Sequence, residues 1–137
     1  MKSMEVTMPD TPTYTSCLTF RPVTDLAASR DFYERDLGLR VVRDQGACLI
    51  FQVAPGAHLG VCQAGYDGRN EPLLRDDRWI TTLVTDDVEG VHARLLRVGA
   101  EVDGPPRHNE RFAITQFFVR DPDGYRVEVQ RFDDPLP

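Results

Sequence analysis

A chain of 137 residues with 41% hydrophobic and 28% charged content has the make-up of one globular domain with its own core, and is too short for two of ordinary size. Its net charge of -6, from 22 acidic against 16 basic residues with no Lys/Arg cluster, argues against neutralising nucleic-acid phosphates and leaves a weak preference for a cationic ligand. No apolar run approaches the roughly 20 residues that span a bilayer, and the opening MKSMEVTMPDTPTYTS lacks the apolar stretch of a signal peptide. The expected setting is the cytoplasm, with neither nucleic acid nor membrane as partner.

Residues 1–14 contain Pro9 and Pro12 and no periodicity, and read as a loose leader. TSCLTFRPV (15–23) is strand-like and runs into Asp25, a good N-cap for LAASRDFYERDL (26–37). Leu26, Phe32, Tyr33 and Leu37 make one apolar face of that helix, and Gly38 stops it. Three strand candidates follow: LRVVR (39–43), ACLIFQV (47–53) and HLGVCQ (58–63). WITTLVT (79–85) begins a second series. Asp87 caps a helix whose Val88, Val91, Leu95 and Val98 fall at three- and four-residue spacing, with Gly99 as its stop. AEV (100–102), AITQFFV (113–119) and YRVEVQRF (125–132) complete the strands, and GPPRHNERF, with His108, is read as a polar loop. Cys17, Cys48 and Cys62 each sit in an apolar, strand-like stretch and form no CxxC pair, so reduced, packed thiols are expected rather than a disulfide or a zinc site.

The two series are copies of one layout. Asp87 follows Asp25 by 62 residues and Gly99 follows Gly38 by 61, as two βαβββ units would. A single such unit has a sheet too small to bury both faces. The pair is therefore expected as one α+β domain over 15–137, with modules at about 15–65 and 77–132, curved sheets around a cavity and helices outside. A ligand site belongs at the seam between the modules.

The run Asp25-Leu26-x-x-Ser29-x-x-Phe32-Tyr33-x-x-x-Leu37-Gly38, together with Asp121-Pro-Asp-Gly124 before the closing strand, resembles the vicinal oxygen chelate superfamily. That group includes glyoxalases, bleomycin-resistance proteins and extradiol dioxygenases. The resemblance covers about residues 15–132 and implies paired βαβββ modules, a homodimer and, in the enzymes, a divalent metal. The metal would be held by His or Gln from the first strand of a unit and Glu or His from its last, and would act as a Lewis acid on two adjacent substrate oxygens.

Only part of that ligand set has counterparts here. Glu128 matches the last-strand glutamate. The first-strand histidines map to Leu18 and Ile80, or to Cys17 and Trp79 if Pro22 forces a bulge. A further ligand position falls at His58 or Gly60, which share one strand face. His58, Glu128 and Cys17 are thus the possible metal ligands, and the set is incomplete.

Three readings follow. In the first, the chain binds a small, possibly cationic or aromatic molecule without a metal, in a cavity lined from Phe20, Phe51, His58, Trp79, Phe112, Phe117 and Glu128. In the second it is a lyase, isomerase or dioxygenase in which Glu128 is a metal ligand or a catalytic general base; desolvation in an apolar cavity strengthens a carboxylate as a base. In the third, Glu128 pairs with Arg111 or Arg126 in a collapsed cavity, Arg111 being favoured because Arg126 is read as pointing to the opposite strand face.

Overall fold

The computed structural model describes residues 12–69, 72–73 and 75–137, so most of the expected leader lies outside the described residues. The architecture is α+β with two sheets. β1 (Cys17–Val23), β2 (Arg40–Asp44), β3 (Cys48–Ala54) and β4 (Ala57–Gln63) form the first, in the order β1-β4-β3-β2. In the second, β5 (Thr81–Val84), β9 (Arg126–Phe132), β8 (Ile114–Arg120) and β6 (Glu101–Val102) lie in that order, and β7 (Arg107–Asn109) also pairs with β8. Each sheet has one parallel pair, β1 with β4 and β5 with β9; the other pairs are antiparallel. Neither sheet closes into a barrel.

Helix formation follows the capping residues. The Asp25 side chain accepts from Ala28 N and starts α1 (Leu26–Arg30), and Asp87 accepts from Gly90 N and starts α2 (Val88–Arg97). Gly38 and Gly99, at φ of 80° and 75°, follow the helical segments with the left-handed backbone that glycine adopts at no steric cost. One feature departs from the regular period. After Arg30 the first helix widens into a π-helical segment, Asp31–Asp36, with Leu37 N donating to Phe32 O at 2.9 Å. This segment carries the consecutive Phe32 and Tyr33, both buried and in edge contact at 5.0 Å.

The core forms where the helices meet one face of each sheet. Val23, Leu49, Phe51, Leu59 and Val61 meet Phe32 and Tyr33, while Phe117, Val119, Val127 and Val129 meet Val88 and Leu95. Val98, expected on the apolar face of α2, is the C-cap residue instead and is half exposed. The segment read as a polar loop contains β7, because Arg107, His108 and Asn109 pair with Gln116, Thr115 and Ile114 of β8. His108 is exposed there, with Nε2 at 2.8 Å from Asp133 Oδ2.

The expectation of three reduced thiols is also corrected. Cys48 and Cys62 are register partners across β3 and β4, with Cα atoms 4.1 Å apart, and they form a disulfide; Cys17 is free and exposed. Directly opposed cysteines on neighbouring antiparallel strands are already within bonding reach. No local spacing motif marks such a pair.

Polar bonds tie the two modules together at one end. Asp121, 5% exposed, accepts from Tyr33 OH at 2.7 Å through Oδ2, and from Asp123 N and Tyr125 N at 2.9 Å through Oδ1. Thr24 N donates to the Asp123 carboxylate, and Tyr125 OH to Pro22 O. At the other side of the helices, Arg94 of α2 donates to the backbone oxygens of Arg35 and Asp36. The turn Asp121-Pro-Asp-Gly124 is therefore structural: its first aspartate organises its own loop and holds the first helix. Burial pushes the Asp121 carboxyl above its usual value, although Tyr33 and the turn amides pull the other way.

Candidate functional site

Strand register settles which side chains share a face. β1 and β4 pair without interruption from Cys17 with Ala57 to Val23 with Gln63, so Pro22 introduces no bulge. Leu18 stands beside His58, and Phe20 beside Gly60. A Cβ added to Gly60 would collide with the Phe20 ring, which places that ring over the sheet at this glycine. Cys17, one residue out of phase with Leu18, alternates to the other face. In the second sheet Thr82 stands beside Glu128, so Ile80 has the parity of Glu128 and Trp79 does not.

Glu128 is 8% exposed, and its Oε1 accepts from Thr82 Oγ1 at 2.9 Å. Neither arginine expected as its partner pairs with it. Arg111 lies over the Phe112 ring at 5.4 Å, and Arg126 over Phe118 at 3.9 Å. The expectation that Arg126 points away from Glu128 is corrected, because residues two apart on a strand share a face. Glu128→Gln should leave the fold intact and change stability by no more than about 1 kcal/mol in thermal melts, since the amide still accepts from Thr82 while the buried charge is removed. A loss of several kcal/mol would mean that the carboxylate carries more than this one bond.

The residues present do not fit a divalent metal. Leu18 and Ile80 offer no donor, and Cys17 is one residue out of phase with Leu18 and its register partner His58. Among the described residues, no three His, Cys, Asp or Glu side chains come together as a metal site.

A cavity of about 700 Å³ opens between β1 with β4 on one side and β5 with its preceding loop on the other. Of the expected site residues, Cys17, Phe20, His58 and Trp79 line it. Phe51 and Phe117, both 0% exposed, do not; their parity puts them in the sheet–helix core, and Phe51 packs against Tyr33 with ring centroids 5.6 Å apart. Phe112 is exposed and lies apart from this cavity, and Glu128 is not in its wall. Apolar Val53, Leu59, Leu73, Ile80 and Leu83 contribute much of the lining.

Tyr125, an aromatic that the sequence also makes available for the lining, is in the cavity wall, and so is Arg21, which sequence reasoning missed. The signal for Arg21 was a lone charge inside the apolar strand TSCLTFRPV. Its guanidinium lies over the Tyr125 ring at 4.5 Å and donates to Thr81 Oγ1, bridging the modules.

The family model described as the Glyoxalase/Bleomycin resistance protein/Dioxygenase superfamily matches residues 15–129. The chain belongs to this superfamily. Solved structures place its fold there too. A glyoxalase-related enzyme from Fulvimarina pelagi is 20% identical with a TM-score of 0.68, covering 83% of this chain and 85% of that one. A glyoxalase/bleomycin resistance protein/dioxygenase from Nocardioides is 20% identical with a TM-score of 0.69, covering 98% and 93%. An integron cassette protein from V. cholerae is 22% identical with a TM-score of 0.67, covering 91% and 99%. No curated protein matches. At these identities the likeness concerns the fold alone. Among the described residues, no helix is long and apolar enough to cross a membrane.

Proposed function

We propose that this member of the glyoxalase/bleomycin-resistance superfamily binds a small aromatic molecule in the cavity between its modules, without a resident metal. The carrying observation is the replacement of metal donors by Leu18 and Ile80 beside a roomy, largely apolar cavity. A volume of about 700 Å³ suits a ligand of a few fused rings, and Phe20 and Trp79 supply flat contact surfaces. The cytoplasmic setting and a homodimer belong to the same proposal. A cationic ligand has less support, because Glu128, the carboxylate expected to attract it, is outside the cavity wall. The enzymatic alternative, with Glu128 as base or metal ligand, is weakened by the same placement.

Trp79 is the sole tryptophan and lines the cavity, so its fluorescence reports binding there. Titration with neutral 2-naphthamide should quench Trp79 saturably, and equally with and without EDTA. Absence of saturable quenching, or binding that requires an added divalent metal, would overturn the proposal.

A further inference from the structure

We infer that the ligand is an aromatic acid whose carboxylate is received by Arg21; this rests on the binding role proposed above and specifies the chemistry of the same cavity. Arg21 lies in the wall of the cavity of about 700 Å³ and of a second, about 300 Å³, that shares Phe20, Pro22, Pro72 and Leu73 with it. It makes no ion pair among the described residues. Of its three guanidinium nitrogens, NH2 is bonded to Thr81 Oγ1, and NH1 is buried with no hydrogen-bond partner among the described residues. An enclosed donor of a charged group without an acceptor is destabilising, which is why such groups are seldom left unmatched in folded proteins.

The carboxylates nearby are engaged elsewhere. Asp121, close enough for the Arg21 charge to act on it, directs its oxygens to Tyr33 OH and to two turn amides. The Asp123 carboxylate accepts from Thr24 N. Among the described residues, Asp76 is the one carboxylate lining the larger cavity and accepts from Arg78 N at 2.9 Å and Arg78 Nε at 3.0 Å, and Asp67, lining the smaller, accepts from Arg69 N at 3.1 Å and Arg69 Nε at 3.0 Å. Positive charge in the wall is therefore left, among the described residues, without a hydrogen-bonded counter-ion, although the chain as a whole is acidic. Local charge, not net charge, decides what a cavity accepts.

Arg21 is also prepared for the task. Stacking on Tyr125 and the bond to Thr81 limit its freedom, and a planar fork of donors matches a carboxylate's two oxygens. NH1 is enclosed, and Arg21 is shared by the linings of both cavities. An acid with a flat apolar body then sets its rings against Trp79 and Leu73 and its charge against Arg21.

The test is a Trp79 fluorescence titration of the full chain with 2-naphthoate, 2-naphthamide and 2-naphthylmethylammonium, which share a ring system and differ in charge. The naphthoate should bind at least about tenfold more tightly than the amide, the margin expected for a charge-assisted hydrogen bond, and the ammonium most weakly. Arg21→Gln should abolish the preference, so that naphthoate and amide bind with equal affinity when both are measured in that variant. The wild-type order is itself decisive should that variant fail to fold. If the amide binds and the naphthoate gains nothing over it, or the ammonium binds best, the assignment of Arg21 fails while the binding role stands. A tenfold preference that survives Arg21→Gln also refutes it. If none of the three probes binds, both fail.

Discussion

Asp121→Ala should destabilise the protein by about 3 kcal/mol, among the larger effects of any polar substitution, because it strands several buried donors at once. The carboxylate accepts from Tyr33 OH, Asp123 N and Tyr125 N, in a turn completed by Gly124 N donating to Asp121 O at 2.8 Å. Loss of the acceptor loosens both the turn before β9 and the hold on the first helix. Asp121→Asn retains an acceptor oxygen and should cost about half as much. Chemical denaturation of the two variants checks both values; an alanine variant within 1 kcal/mol of wild type would show that the turn holds without the carboxylate.

The same contact has a pH signature. Burial first, and then the Asp121 charge, push the Tyr33 phenol well above its ordinary value of 10.0. A group whose pKa is raised by folding contributes stability that is present below its unfolded value and lost as pH rises toward the folded one. Wild type should therefore lose stability progressively above about pH 10, and Tyr33→Phe should lose less of it over that range. Parallel melts on the alkaline side would show the difference.

Reduction of Cys48–Cys62 is the second large effect. The cysteines are 14 residues apart, and opening a loop of that size releases chain entropy in the unfolded state worth about 3 kcal/mol. Urea melts with and without dithiothreitol should differ by roughly this amount, and Cys17→Ser should leave the difference unchanged. Thiol titration of denatured, unreduced protein should find only the Cys17 sulfhydryl. Three free thiols without reductant would contradict the disulfide.

Much of the fold was legible because its punctuation is local. Asp25 and Asp87 bond to amides three residues onward, Gly38 and Gly99 take backbone angles that glycine favours, and the spacing between these pairs exposes the duplication. What escaped the sequence depended on register or on non-local contact. The opposition of Cys48 and Cys62 exists only once β3 and β4 are aligned. The π-helical turn at Phe32 and Tyr33 breaks the 3.6-residue period by which helix faces are read. β7 is polar, and is a strand only because β8 offers it an edge.

The candidate site was legible in part. Parity alone distinguishes Phe20 from Phe51, since Phe51 alternates with residues that pack against the helix. Glu128 is legible as a motif position, but its place behind the lining residue Thr82 is a tertiary fact. Arg21 was overlooked because a charge at the end of a strand, beside proline, ordinarily faces water; here β5 and Tyr125 close over it.

In the proposed function, an apolar, ligand-binding seam stands where a metal-binding cup would be. Protein purified without chelators and then dialysed should contain only trace Ni, Zn, Mn or Fe by elemental analysis, well below one ion per chain. A stoichiometric divalent metal that survives dialysis and is lost in Glu128→Gln or His58→Ala would contradict it.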